Sequence, residues 1–63
     1  MQIFNVSGMT CSHCERAVTQ AIQALDPQAQ VQVDLAAGTV QVQSSASGQA
    51  IRQAISDEGY QVS

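Results

Sequence analysis

The sequence lacks lysine and tryptophan, and it has few basic or aromatic residues of any kind. Arg16 and Arg52 are its only basic side chains apart from one histidine, and Phe4 and Tyr60 are its only aromatic ones. Nucleic-acid binding depends on clustered Lys and Arg for the phosphates, and often on aromatic rings that stack on bases. The composition therefore argues against a nucleic-acid partner. The formal net charge of −3 favours a partner with a basic face.

Long hydrophobic runs are also missing. No segment approaches the roughly 20 apolar residues that a membrane-spanning helix requires. The N-terminal residues 1–5 have neither a basic start nor a long apolar stretch, so no signal peptide is predicted. These features favour a cytoplasmic protein, in a compartment that keeps thiols reduced.

Cysteine is scarce, and the two cysteines are close neighbours. Cys11 and Cys14 are three positions apart. A disulfide between them would close a very short loop, so it would constrain little of the unfolded chain and add little stability. Small secreted proteins usually carry several disulfides instead. The two cysteines are therefore interpreted as a functional pair.

The short chain limits what the protein can be. Its 63 residues are expected to form one domain, residues 1–63, and 44% of them are hydrophobic, as in a globular protein. Chains below ~70–80 residues rarely gain more than about 3–5 kcal/mol from their core. A catalytic cleft with a closing lid is hard to build on such a core, whereas a surface site made of two side chains is not. An enzyme is not expected.

The spacing of apolar residues predicts four strands and two helices. The predicted strands cover residues 2–7, 30–35, 39–43 and 60–62, where apolar and polar residues alternate. The first helix runs from about Ser12 to Asp26-Pro27, and the second is capped by Ser47 and ended by Gly59. The expected buried positions of the helices are Ala17 or Val18, Ala21, Ile22, Leu25, Ile51, Ala54 and Ile55. The order predicts an α+β protein, a ferredoxin-like βαββαβ sandwich with two helices on one face of a four-stranded antiparallel sheet.

The cysteine pair lies where a glycine-containing loop meets the first predicted helix. Residues three apart share one side of a helix, so the sulfurs of Cys11 and Cys14 can point to one spot above the helix N-terminus. The partial positive charge and free N–H groups of that end stabilise thiolates. We therefore expect cysteine pKa values below the free value of about 8.5, with the larger effect at Cys14.

Two thiolates without a third favour a particular class of metal ion. Structural zinc sites and iron–sulfur clusters commonly use four protein ligands. Cu(I) is a soft ion that two near-linear thiolates can satisfy, and Hg(II) is another. An ion with an open side can be attacked by a partner's cysteine and carried away. The ligand count therefore favours delivery of the metal over storage or catalysis.

Two neighbours of the cysteines could also be ligands. His13 is interpreted as an exposed bystander, and the alternative is a transient or dimer-bridging ligand. Met9 is interpreted as a buried residue beneath the loop rather than as a thioether ligand.

The segment Gly8–Cys14, which reads Gly-Met-Thr-Cys-Ser-His-Cys, resembles the metal-binding loop of the heavy-metal-associated domain family. The similarity extends over nearly all of the chain, through residues 25–33, the hairpin around Gly38 and the terminal pair Gly59-Tyr60. Within the family, the chain is most similar to the free-standing bacterial copper chaperones.

The resemblance implies roles for individual residues. It implies that Cys11 and Cys14 bind Cu(I), that Met9 is buried, and that Tyr60 lies on a loop beside the metal. The alternative for Tyr60 is a half-buried residue that closes the sheet. Relatives that bind zinc or cadmium often place Asp before the first cysteine, and Thr10 stands there in this chain, which favours copper over zinc.

Three functions remain open at this point. The first is a cytosolic copper chaperone that passes Cu(I) by ligand exchange to the metal-binding domains of a copper-transporting P-type ATPase, with a Cu(I)-bridged homodimer as a further expectation. The second is an N-terminal module of such an ATPase or of a mercuric reductase, binding Cu(I) or Hg(II). The start at Met1 and the lack of a linker favour the independent protein. The third, a thioredoxin-type dithiol oxidoreductase, is disfavoured by the short length and by the strand–helix order.

Overall fold

In the computed structural model, which describes residues 1–63, four strands and two helices follow one another in the predicted order. They are β1 (Gln2–Ser7), α1 (Ser12–Leu25), β2 (Gln30–Asp34), β3 (Thr39–Gln43), α2 (Gly48–Asp57) and β4 (Gln61–Val62). The strands form one antiparallel sheet in the order β2-β3-β1-β4. The predicted ferredoxin-like βαββαβ fold is confirmed. β2 ends one residue earlier than predicted and β4 begins one residue later.

The core lies between the sheet and the two helices. The helices contribute residues one turn apart, and the strands contribute alternate residues, because these spacings place side chains on one face. The buried apolar residues are Phe4, Val6, Met9, Val18, Ile22, Ala29, Val40, Val42, Ile51 and Ile55. No buried side-chain nitrogen or oxygen lacks a hydrogen-bond partner. Neither helix is both long enough and apolar enough to span a bilayer.

Leu25 is the one predicted buried position that is exposed, with 46% of its surface accessible, whereas Ala21 and Ala54 are half-buried. Leu25 is the last residue of α1, one turn beyond the fully buried Ile22. At this end of the molecule Ala29, which is 5% exposed, closes the core in place of Leu25. The helical spacing of Leu25 is correct, but no core layer continues beneath it.

Strand pairing brings three loops to one end of the molecule. β1 runs antiparallel to β3, and the Val6 N–H donates a hydrogen bond of 2.8 Å to the Gly38 carbonyl. β1 is also antiparallel to β4, with Ser7 opposite Gln61. The loop after β1 (8–11), the β2–β3 hairpin loop (35–38) and the loop before β4 (58–60) therefore lie together. We call this part of the molecule the three-loop end.

Candidate metal centre

The loop that carries the cysteines is fixed by the two residues that follow β1. Gly8 has a φ of +97°, a conformation that residues with a Cβ rarely adopt. A Cβ at this position would also stand 3.4 Å from Cδ1 of Tyr60. Met9 is 7% exposed and belongs to the core, which confirms the prediction that it is buried. The loop is therefore anchored from beneath by Met9 and covered on one side by Tyr60.

The start of α1 positions the two sulfurs. Cys11 is the N-cap residue, with extended backbone angles, and its carbonyl accepts hydrogen bonds from Cys14 N at 3.1 Å and Glu15 N at 3.3 Å. Cys14 is the third residue of the helix. The two Sγ atoms are 3.8 Å apart, and both thiols are free. The predicted convergence of the sulfurs is confirmed.

The two cysteines differ in their surroundings. Cys11 is exposed, whereas Cys14 is half-buried and packs against the core. The Cys14 thiol also donates to the Gly8 carbonyl, with 4.0 Å between sulfur and oxygen. The thiol of Cys11 is therefore the more accessible of the two, and that of Cys14 is held more firmly by its surroundings.

Cys14 is easily ionised. Its pKa is lowered from the ordinary value of 9.0 to about 6, chiefly because the Tyr60 hydroxyl stabilises the thiolate. The backbone of Thr10 and Cys11 and the Cys11 side chain add to this effect, and partial burial opposes it. The hydrogen-bond contacts of the Cys14 sulfur are with the Cys11 sulfur and the Gly8 carbonyl. The Tyr60 hydroxyl lies near the Cys14 sulfur but outside these contacts. The lowering predicted for Cys14 is confirmed, and its largest cause is Tyr60, which the sequence did not predict.

Tyr60 is both a packing residue and a neighbour of the cysteines. It is half-buried, packs against the core, and directly precedes β4. Its pKa is raised to about 12, first by the interaction of its hydroxyl with the Cys14 side chain, then by burial and by the negative charges of Cys14, Cys11 and Glu58. Tyr60 is therefore a neutral phenol at physiological pH and can donate a hydrogen bond. The interpretation of Tyr60 as a half-buried residue is confirmed, and the residue also lies beside the cysteines.

His13 does not join the two thiols in a larger site. It is exposed on the first turn of α1. No group of three or more His, Cys, Asp or Glu side chains in the structure is arranged to hold a metal ion. This placement agrees with the bystander interpretation, and the two sulfurs remain the candidate ligands.

Comparison with known proteins extends the likeness beyond the cysteine loop. The model of the Heavy-metal-associated domain family matches residues 3–61. "Copper chaperone CopZ" of Staphylococcus aureus is 42% identical over 64 residues, which cover 97% of this chain and 94% of that protein. The solved structure of "Copper chaperone Atx1" from Synechocystis has a TM-score of 0.97 and 36% identity over 100% of both chains. A structure named "CopZ metallochaperone" has a TM-score of 0.92 and 36% identity, over 98% of this chain and 97% of that one.

Proposed function

The chain belongs to the heavy-metal-associated domain family, and from this we propose that residues 1–63 form one such domain that works as a copper chaperone. The observation that carries the proposal is the pair of free sulfurs 3.8 Å apart, on the exposed N-terminus of α1. The names of its relatives, copper chaperones matched along nearly the whole chain, support it. The protein acts as a carrier and not as an enzyme.

The cargo is Cu(I), and its ligands are the thiolates of Cys11 and Cys14. A thiolate rather than a thiol binds the metal. With a pKa of about 6, Cys14 is mostly ionised at neutral pH, so copper competes with few protons for this sulfur. Soft sulfur ligands prefer Cu(I) over harder ions. Thr10 adds no carboxylate that would favour zinc.

The sulfur spacing suits exchange of the metal between proteins. Metal–thiolate bonds of roughly 2.3 Å, the value for zinc, would place two linear ligands about 4.6 Å apart and two ligands of a trigonal site about 4.0 Å apart. The observed 3.8 Å is closer to the trigonal spacing. A third thiolate from an acceptor can therefore add to the ion with little movement of either cysteine.

Differences in accessibility suggest an order for the exchange. The acceptor's thiolate adds to Cu(I) on the side of Cys11, which is exposed. Cys11 is displaced first, because Cys14 is held against the core beside Tyr60. A second acceptor thiolate then displaces Cys14, and the ion leaves. Only copper–sulfur bonds form and break, so copper is neither oxidised nor reduced.

The proposed acceptor is a metal-binding domain of a copper-transporting P-type ATPase, because the exchange requires an exposed cysteine pair on the other protein. A second copy of this chain offers the same ligands, so a Cu(I)-bridged homodimer is proposed as a further state. The working location is the cytoplasm, where a dithiol stays reduced.

Anaerobic titration with Cu(I), in the presence of a competing chelator, tests the proposal. We expect one ion per chain or per dimer, and loss of binding in both Cys11→Ser and Cys14→Ser. Ser12→Ala is the matched control, since Ser12 is an exposed residue between the two cysteines and its replacement should leave binding unchanged. Retention of chelator-resistant copper by both cysteine variants contradicts the assignment. Reduction of insulin disulfides without metal binding would favour the oxidoreductase instead.

A further inference from the structure

β2 is an edge strand of the sheet, and nothing in the fold protects its free edge. The strand order β2-β3-β1-β4 leaves one side of Gln30–Asp34 without a neighbouring strand. Folded proteins usually blunt such an edge with lysine, proline, a bulge or a very short strand. β2 contains neither lysine nor proline, and its pairing with β3 is continuous, so it has no bulge. The other edge strand, β4, has two residues. β2 is therefore the long edge strand that is open to a further strand.

The register of the sheet shows which backbone groups face this free edge. In an antiparallel pair, residues that bond to the neighbouring strand alternate with residues that face away from it. The Gly38 N–H donates a hydrogen bond of 2.9 Å to the Asp34 carbonyl, so Asp34 faces the β3 side. Val33 and Val31 lie one and three positions before Asp34, so each presents its N–H and its carbonyl to the free edge. No loop or side chain supplies a hydrogen bond to these four groups.

The four free groups match those of a second copy of the same strand. Two β2 strands can lie antiparallel about a two-fold axis at Gln32. Val31 of one copy then stands opposite Val33 of the other, and each such pair exchanges two hydrogen bonds. Every free N–H and carbonyl on both edges gains a partner in this register, because a two-fold interface repeats each contact.

The side chains agree with the same register. Val31 and Val33 are half-buried and pack against the core, so pairing them across the axis covers apolar surface of both copies. On the open face of the sheet, Gln30 comes opposite Asp34, and Gln32 faces Gln32 of the second copy. An amide can donate to a carboxylate, and two glutamines can satisfy each other. No like charges stand opposite each other, and the three-loop ends of the two copies point in opposite directions.

We propose that two copies of this chain pair through β2 into one continuous antiparallel sheet, with four strands from each copy. Pairing two long edges closes the assembly and leaves the short β4 at both outer edges. The dimer needs no metal and leaves the sulfurs of Cys11 and Cys14 free. It is therefore distinct from a Cu(I)-bridged homodimer and goes beyond the proposed chaperone function. The interface is small, and we expect a dissociation constant of roughly 0.1–1 mM, as for transient complexes.

Amide-proton NMR and sedimentation equilibrium on the metal-free, reduced protein test the pairing. A chelator and a phosphine reductant keep metals and disulfides out of both measurements. Between about 0.05 and 2 mM chain, mass action should shift the protein from mostly monomer to mostly dimer. The amide protons of Val31 and Val33 should move downfield as they form hydrogen bonds. Those of Gln30 and Gln32, which already face β3, should move much less.

Charge substitutions at Gln30 test the register, because the residue opposite it is an acid. Gln30→Lys puts a basic group opposite Asp34 twice in each dimer, and Gln30→Glu puts a second acid there. At low salt Gln30→Lys should tighten the dimer about threefold or more, and Gln30→Glu should weaken it by a similar factor. Gln61→Lys and Gln61→Glu are the controls. They change the net charge equally at an exposed position on the opposite edge of the sheet, and they should alter the dimer much less.

The outcomes decide the inference without reference to copper, since every measurement is made without metal. A protein that stays monomeric at the highest concentration overturns it. A dimer in which the amide protons of Val31 and Val33 do not move uses another surface and also overturns it, as do equal effects of the Gln30 and Gln61 substitutions. Shifts that arise only with an added alternating Val-Thr peptide would assign the edge to a foreign strand and overturn self-pairing.

Discussion

Cys11 and Cys14 belong to one site, but they meet different physical conditions. Cys11 is the exposed N-cap of α1 and Cys14 is half-buried in its first turn. The neutral phenol of Tyr60 lies beside Cys14, and its hydroxyl favours the thiolate form of Cys14 over the thiol. The cysteine pair is therefore asymmetric, and under the proposed function the exposed Cys11 suits exchange of the metal and Cys14 suits its retention.

The first prediction concerns the pH at which Cys14 ionises. The Tyr60 hydroxyl stabilises the charged form, so removing it must raise the Cys14 pKa. In the natural protein, the alkylation rate of Cys14 should rise with pH through a midpoint of about 6. In Tyr60→Phe the midpoint should lie higher, towards the ordinary value of 9.0. Iodoacetamide labelling of the metal-free protein, read for each cysteine by peptide mass spectrometry, measures both midpoints.

The Phe variant is its own packing control, because it keeps the ring that packs against the core. An unchanged midpoint would show that the helix N-terminus, and not Tyr60, controls the Cys14 thiolate. Circular dichroism should show the same fold for both proteins.

Met9 supports the loop from below, and the second prediction concerns this role. It is 7% exposed, so Met9→Ala removes buried methylene and sulfur contacts and leaves a cavity. The free energy of unfolding should fall by about 2–5 kcal/mol. Urea denaturation measures the change. Leu25→Ala is the matched control, because Leu25 is 46% exposed and its loss should cost much less. Equal effects of the two substitutions would show that Met9 is not part of the core.

Thr10 precedes the first cysteine, and the third prediction concerns the choice of metal. Thr10→Asp places a carboxylate next to the two thiolates, and this hard oxygen ligand suits Zn(II) better than Cu(I). The affinity for Zn(II) should therefore rise relative to that for Cu(I), in competition titrations with chelators for each metal. Thr10→Asn is the control, because Asn has nearly the shape of Asp without its charge, and it should change the ratio of Zn(II) to Cu(I) affinity less. If the ratio is unchanged in Thr10→Asp, the residue does not influence metal choice.

The helices and strands follow local signals closely, and this explains which features the sequence alone could predict. β1 covers the predicted residues, Ser47 caps α2 as expected, and Gly59 follows α2 with a φ of +95°. Each of these depends on residues a few positions apart. The exposure of Leu25 does not, because it depends on how far the core extends beneath α1. A helical pattern cannot reveal that distance.

The cysteine site divides in the same way between local and long-range features. The sequence predicted that both sulfurs share one side of α1, because the helix fixes residues three apart. It did not predict that Tyr60 dominates the ionisation of Cys14. That effect requires β4 to pair with the end of β1, with Ser7 opposite Gln61. The glycine at position 8 was a usable signal, since a side chain there would touch the Tyr60 ring.

The fourth prediction concerns the cap of α2. The Ser47 hydroxyl accepts a hydrogen bond of 3.1 Å from the Ala50 N–H, which satisfies one of the free donors at the helix start. Ser47→Ala should lower the free energy of unfolding by ~1 kcal/mol. Ser47 begins α2 at the end opposite the cysteines, so Cu(I) affinity should not change. Ser56→Ala, at an exposed helical position, is the control and should be neutral or slightly stabilising. A loss of copper affinity in Ser47→Ala would show that the two ends of the fold are coupled.

The two ends of the molecule differ in what their polar side chains do. One end holds the two cysteines and four carboxylates, with Arg16 as the one Arg or Lys among them. The carboxylates belong to Glu15, Asp34, Asp57 and Glu58. The opposite end is held by Asp26, whose carboxylate accepts hydrogen bonds from the Ser44 hydroxyl and the Ser45 N–H. These bonds lower the pKa of Asp26, so their contribution to stability is present at neutral pH and is lost as the pH falls through that lowered pKa. The two ends can therefore be changed independently.

The fifth prediction follows from this charge distribution and concerns the Cu(I)-bridged homodimer. Sharing one ion brings two three-loop ends together, and both ends carry the same negative charge, so their repulsion opposes the dimer. Added salt screens repulsion between exposed charges, with a Debye length near 10 Å at 0.1 M and roughly 30 Å at 0.01 M. With half an equivalent of Cu(I), sedimentation velocity should show more dimer at high salt than at low salt.

Two variants locate the repulsion. Glu58→Gln should favour the dimer at low salt more than Gln28→Lys does, because only the first substitution changes the contacting surfaces. A dimer that weakens as salt rises would contradict the prediction. Such a salt dependence would mean that opposite charges attract across the interface, which two negatively charged three-loop ends cannot provide.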